Sequence, residues 1–379
     1  MKITDIQTAR LDVGFKQVLV KVYTDEGITG IGEACWGQGV KDIIRSQKMK
    51  SILVGQDPLD VNRLLTRMIE TMSGEGSQAG SVVTAISGIE LALWDLAGKA
   101  LGVPVYRLLG GKYRDKIRIY ADCHGGKTDD PESWAATARS IKKMGYTALK
   151  FDIDTPEHWR EDFNRCLSTT EIRTQAEKIA AVREAVGDDV DIAVDCHWRY
   201  STKDAVRLAK ALAQYGLLWL EDPIPPWNID AMHKVTSLSP VPICTGENLY
   251  LKHGFRRLIE RQAADIVAPD IPKVGGILEF KRISDMADTY YIPVAPHNVS
   301  SPIGTMASAH ACASIKNFLV MEVHHLSTGA VWWEDLVKEE KPIIEKGYIK
   351  IRDKPGIGLE LDEKEVSKHL LEVDRKFFE

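Results

Sequence analysis

The chain has no C-x-x-C pair: its six cysteines, Cys35, Cys123, Cys166, Cys196, Cys244 and Cys312, are scattered. That spacing argues against a structural zinc site or a disulfide framework, so each is expected to be a small buried apolar residue. Long runs of like charge are also missing, and interspersed acids and bases sum to a net charge of −5. A nucleic-acid partner needs a basic stripe that displaces counterions, which this chain lacks. Uninterrupted apolar runs fall short of the roughly 18 residues that a membrane span requires. The opening Met1-Lys2-Ile3-Thr4-Asp5-Ile6 alternates as a strand does and has no signal-peptide block. A cytoplasmic protein with neither membrane nor nucleic acid as partner is expected.

What is present is ordinary globular material, 379 residues that are 44% hydrophobic and 27% charged. This suffices for two or three domains. Val18-Leu19-Val20-Lys21-Val22-Tyr23, then Thr24-Asp25-Glu26-Gly27, then Ile28-Thr29-Gly30-Ile31-Gly32 predict a hairpin. Gly27, Gly30 and Gly32 do not make a dinucleotide loop, because Cys35 stands where G-x-G-x-x-G needs its last glycine. A glycine-permissive turn is expected instead. From about Asp42 to Leu109 the apolar spacing turns helical, most clearly over residues 84–97. Strands grouped before helices define an α+β unit.

After Lys116 the pattern changes. Eight short apolar runs, at 117–122, 148–152, 190–197, 217–222, 243–247, 266–270, 292–297 and 318–322, each end in polar residues. From Asp195 onward these ends recur about every 25 residues, the length of one strand, one helix and two loops. Eight such units predict an α/β fold with a closed parallel barrel, the alternative being a doubly wound open sheet. From about Leu326 the period is lost, and strand-like pieces at 347–351 and 355–359 cannot stand alone. The expected organisation is an α+β capping domain at 1–115, a barrel at 116–325, and a segment at 326–379 that returns to the cap.

Active sites of such barrels form where the strands end. Three consecutive strands end in Asp195, Glu221 and Glu247. Anions crowded into one mouth call for a positive charge among them, and all-oxygen ligands favour a hard cation, Mg²⁺ best. A helix cap or loop salt bridge would explain one such carboxylate, but less readily three at matched spacing. The next two strands end in Asp270 and His297, a pairing in which a carboxylate raises the basicity of an imidazole and makes it a general base. His197 follows Asp195 by two residues and Arg199 by four, so on an extended strand end they would share one face. Lys150 and Asp152 have the same two-residue relation. His124, Lys16, Trp36, Trp332 and Trp333 are weaker pocket candidates, and the tryptophans would equally serve packing between domains. Gly275-Gly276 would suit phosphate at a helix start, though a plain turn suffices.

With these residues and Glu322 on the last strand, the chain resembles the enolase superfamily, specifically its mandelate-racemase-like branch. Residues 85–89, Leu93-Trp94-Asp95 and Leu109-Gly110-Gly111 carry the resemblance into the first domain. It implies a modified TIM barrel under an α+β cap, a homo-oligomer, and Mg²⁺ held by Asp195, Glu221 and Glu247 against a substrate carboxylate. A base then removes the proton on the adjacent carbon, a mechanism known for this superfamily. Glu322, if protonated, would donate a hydrogen bond to the same carboxylate. Racemases of this branch carry a K-x-K motif where this chain has Lys150-Phe151-Asp152, so two-base racemisation loses its usual partner. Lys150 would then contact the substrate. Asp195-x-His197-x-Arg199 resembles acid-sugar dehydratases of the galactonate and gluconate type. The resemblance thus implies that His297 takes the C2 proton and that protonated His197 releases the 3-hydroxyl, giving a 2-keto-3-deoxy acid. Racemisation or epimerisation of a sugar acid, with Lys150 as second base, and a metal-binding protein without activity remain alternatives.

Overall fold

Strands β1 (Ile3–Arg10), β2 (Val18–Thr24) and β3 (Thr29–Ala34) form an antiparallel sheet in that order. The structure is a computed structural model describing residues 1–125, 130–154, 166–326 and 332–378. Gly27, with φ 78°, makes the turn between β2 and β3. Gly30 and Gly32 lie inside β3 and not in that turn, which corrects the sequence expectation. A Cβ at either would collide with the backbone of Ala92 or Gly88, so these glycines let the helix Ser81–Leu101 lie directly on the sheet. At 21 residues this helix is long and apolar enough to cross a membrane, a possibility that uninterrupted runs did not reveal. It is almost wholly buried in protein, and its acids Glu90 and Asp95 are buried too.

The second sheet runs parallel through β4 (Lys116–Asp122), β5 (Ala148–Asp152), β6 (Asp191–Asp195), β7 (Trp219–Glu221), β8 (Ile243–Thr245) and β9 (Ile266–Val267). Strand β10 (Met321–Val323) pairs with β4 and closes the ring. The remaining position, expected as a strand at 292–297, is irregular: Val294 alone bridges Val267 on one side and Phe318 on the other. Pro293 and Pro296 flank it and have no N–H to give, so they serve the neighbouring strands as acceptors for Val267 and Glu322. Inside the barrel, Tyr120, Ala148, Ala193, Trp219, Ala268, Ala295 and Val320 pack in one cluster. Side chains alternate along a strand, so the residues two further on, among them Lys150, Asp195, Glu221, Asp270, His297 and Glu322, crown that apolar plug.

The C-terminal segment divides its contacts. Strands β11 (Ile344–Glu345) and β12 (Tyr348–Lys350) form a hairpin whose second strand pairs antiparallel with β4 of the barrel. Beyond it, Leu370 bridges Leu11, and the buried Asp374 accepts from the Arg10 N–H at 2.9 Å and from Lys41 at 2.6 Å. Residues 355–359, expected as a strand, are not one. The Ile357 N–H instead donates to Asp95 Oδ1 at 2.9 Å. Five cysteines are buried as expected, whereas Cys166 is exposed.

Candidate active site

The register of the parallel strands levels the site. Asp152 pairs with Asp195 across β5 and β6, and Asp195 with Glu221 across β6 and β7. Glu247 falls three residues after the inward-facing Cys244, out of alternation. Gly246, at φ 139°, makes the correction, and a Cβ there would sit 2.8 Å from the Phe255 ring. Ligand oxygens of Asp195, Glu221 and Glu247 lie within 4.8 Å of one another. The sequence argument asked for a positive charge here, and Lys150 supplies one. Its Nζ is 3.2 Å from Asp195, 3.3 Å from Glu221 and 2.8 Å from Glu322, all four residues being buried. Burial works against that ammonium, but Glu221 and Glu322 outweigh it and push Lys150 upward. Glu221 itself is pushed well up, burial and the nearby Asp195 and Glu322 outweighing Lys150, as expected of carboxylates crowded together, and the all-oxygen trio fits a hard divalent cation.

Two histidines reach the trio from opposite ends. At the Glu247 end, His297 Nε2 lies 3.2 Å from Glu247 Oε2, while Nδ1 lies 2.6 Å from Asp270 Oδ2. Burial lowers this imidazole's affinity for a proton, yet Glu322, Glu247 and Asp270 together hold it up at about 10. At the Asp195 end, His197 Nε2 lies 3.8 Å from Asp195 Oδ2 and Nδ1 lies 2.9 Å from Asp154 Oδ1. His197 is also held upward, Asp195 and Asp154 overcoming its burial. Its route differs from the extended strand end that the sequence suggested. Strand β6 stops at Asp195, and His197 and Trp198 both take left-handed conformations, with φ 42° and 65°. The turn is held by the His197 N–H on Asp195 Oδ1 at 2.9 Å.

Not all of the other expected residues reach the site. Arg199 is buried with Nε 3.3 Å from Asp154 Oδ2, and Asp154 was not anticipated, although it continues the Lys150, Asp152 alternation by one more step. His124 sits between Asp152, at 2.9 Å, and Asp122, at 3.5 Å. Its burial is outweighed by these two carboxylates, which hold it at about 9. Trp36 follows the cap strand β3 and places its ring 6.5 Å from that of His297. Phe15, another cap residue not anticipated, lies tilted against Trp36 and edge-on to His324, and His324 in turn meets His124. Lys16, by contrast, pairs with Asp12 at half-exposed positions. Trp332 packs beside His369, and the buried Trp333 donates Nε1–H to the Ser300 carbonyl at 2.8 Å, so both serve packing. Gly275-Gly276 is no anion site: the Glu90 carboxylate already accepts from the N–H groups of Ile277 and Leu278.

Glu322, expected to offer a hydrogen bond if protonated, is raised by burial but held down at about 2 by Lys150 and His297. Its Oε2 accepts from the Asn298 N–H at 3.0 Å.

A capped parallel barrel with carboxylates on three successive strand ends and a His–Asp dyad beyond them defines the enolase class of barrel proteins. Residues 2–110 match the mandelate racemase / muconate lactonizing enzyme N-terminal domain, and residues 133–365 match the enolase C-terminal domain-like family. The chain belongs to the mandelate racemase / muconate lactonizing enzyme family of the enolase superfamily. It is 50% identical to a D-xylonate dehydratase of Haloferax volcanii, over 100% of this chain and 91% of that protein. A D-gluconate/D-galactonate dehydratase of Picrophilus torridus is 31% identical over 95% of this chain and 90% of its own length. The crystal structure of a mandelate racemase/muconate lactonizing enzyme-like protein from Rubrobacter xylanophilus superposes with a TM-score of 0.92 at 43% identity, covering 98% of both chains.

Proposed function

We propose that this protein is a Mg²⁺-dependent hydro-lyase that dehydrates an aldonic acid to its 2-keto-3-deoxy acid. The observation that carries the reading is the trio of Asp195, Glu221 and Glu247 with one imidazole at each end, His297 backed by Asp270 and His197 backed by Asp154. Elimination needs a base for one proton and an acid for the departing hydroxyl, and two differently placed histidines can divide that work. Relatives named for D-xylonate, D-gluconate and D-galactonate support an aldonic acid as substrate.

In this reading Asp195, Glu221 and Glu247 hold the cation. When bound, it offsets charge gathering on the substrate carboxylate and the anionic field that holds His297 at about 10. His297 takes the C2 proton, with Asp270 fixing its Nδ1–H. His197 gives its Nε2 proton to the 3-hydroxyl, which leaves as water while the C2–C3 double bond forms. The enol so produced tautomerises to the ketone, and the substrate has lost H₂O with no change of oxidant or reductant. Lys150 and Glu322, ion-paired at 2.8 Å, flank the carboxylate end. A lysine clasped by three carboxylates is poorly placed to act as a second base, which weighs against racemisation.

The test is to incubate the Mg²⁺-loaded protein with D-xylonate, D-gluconate and D-galactonate and read the keto product with a carbonyl reagent. Product from at least one is expected. Deuterium at C2 without keto product would replace the reading by epimerisation, and silence with proven Mg²⁺ binding would remove it.

A further inference from the structure

We propose that Asp154 is the positioning residue for the proton donor, turning His197 Nε2 toward Asp195 and so governing departure of the 3-hydroxyl. This rests on the dehydratase reading above. Asp154 is buried, and each of its oxygens has a partner on the turn that follows β6: Oδ1 lies 2.9 Å from His197 Nδ1, and Oδ2 lies 3.3 Å from Arg199 Nε. The Ile153 N–H donates to the Asp195 carbonyl at 2.9 Å, so the segment carrying Asp154 stays zipped to the strand end that carries Asp195. One carboxylate thus ties two residues of a turn whose backbone is left-handed at His197 and Trp198, a conformation that needs support from its surroundings.

An imidazole can rotate about its Cβ–Cγ bond unless one ring nitrogen is held. With Nδ1–H donated to Asp154, the second nitrogen points at the site, and the proton that leaves during reaction can come only from Nε2. The arrangement also predicts what an amide would do. In Asp154→Asn the carboxamide oxygen would turn to Arg199, a permanent donor, leaving its NH₂ against the Nδ1–H of His197. Two donors face to face would swing the ring out of line.

The experiment uses the Mg²⁺-loaded full chain with D-xylonate in D₂O. Keto product is read alongside total C2 proton loss, taken as product plus recovered deuterated substrate. Asp154→Asn is expected to lower keto formation by about 100-fold while C2 proton loss stays near wild type, the same partition as His197→Asn. Asp154→Glu should fall between, and it replaces the amide variant if that one does not fold. A merely structural residue would lower both rates together, and that result, or an unchanged partition, overturns the proposal. A readout without substrate separates this from failure of the dehydratase reading. In ¹⁵N-histidine-labelled protein the hydrogen-bonded Nδ1–H resonance of His197, assigned through His197→Asn, should vanish in Asp154→Asn. If wild type turns over no aldonate, the function falls while this resonance still decides, and its persistence in the variant overturns the proposal.

Discussion

His297 Nδ1 and Asp270 Oδ2 stand 2.6 Å apart, both buried, on neighbouring positions of the barrel that are 27 residues apart in sequence. The pair is built by alternation: Ala268 and Ala295 face the apolar plug two residues earlier. In the proposed reaction this pair alone removes the C2 proton. His297→Asn should lower both C2 exchange and dehydration by about 10³-fold, within the span general base catalysis contributes. Mg²⁺ affinity and melting temperature should stay close to wild type. Retention of C2 exchange in this variant would assign the base elsewhere.

The carboxylate trio predicts a requirement for a hard divalent cation. Chelation with EDTA should abolish turnover, and Mg²⁺ or Mn²⁺ should restore it better than Zn²⁺, since the donors are all oxygen. Glu221→Gln should weaken Mg²⁺ binding in a calorimetric titration by at least the about 10- to 100-fold that losing an outer-shell partner costs, with the other two ligands left in place. Unaltered affinity would show that the cation lies elsewhere.

Glu90 and Gly276 make a third test, this one of the seam between cap and barrel. Glu90, wholly buried, accepts from Ile277 at 2.8 Å, Leu278 at 2.9 Å and Trp94 at 2.6 Å, and burial pushes its carboxyl up to about 7. A Cβ on Gly276, where φ is 88°, would run into that carboxylate. Glu90→Ala strands buried donors and should cost about 3 kcal/mol, and Gly276→Ala should cost about as much. Because Glu90→Ala opens the space the new methyl needs, the double variant should be more stable than the sum of the two predicts. Strict additivity in urea midpoints would contradict the contact.

Much of this site could be read before any coordinates, and the reason is geometric. A parallel barrel turns a repeat in the chain into a ring in space, so Asp195, Glu221, Glu247, Asp270, His297 and Glu322 announce themselves by spacing. Asp154 escaped because the strand was read as ending at Asp152, although its alternation carried one step further. The contact between Lys150 and Glu322 could not be read, since it depends on Lys150 reaching across the mouth to within 2.8 Å. Nor could the role of Glu90, whose partner at Ile277 lies far along the chain. Gly30 and Gly32 were misassigned for a related reason: a glycine needed for close packing looks the same in sequence as one needed for a turn.

His310 provides a prediction about pH that lies apart from the trio. It is fully buried in the helix Pro302–Ala313, with Nδ1 accepting from the Tyr106 N–H at 3.3 Å. Burial outweighs the Ile357 backbone and the Asp353 carboxylate and lowers it to about 4 from an ordinary value of 6.5. The unfolded chain therefore takes up a proton below pH 6.5 that the folded chain refuses until about pH 4. Stability from this residue is complete above pH 6.5 and is lost as pH falls toward 4, by about 3 kcal/mol in all. His310→Gln keeps an acceptor for Tyr106 and removes the titration. The gap in urea midpoint between wild type and this variant should narrow on going from pH 7.5 to 4.5 and can reverse in sign. A gap that stays constant over that range would mean that His310 is charged in the folded protein or exposed to water, contrary to its place between the Tyr106 ring, 5.7 Å away, and the core.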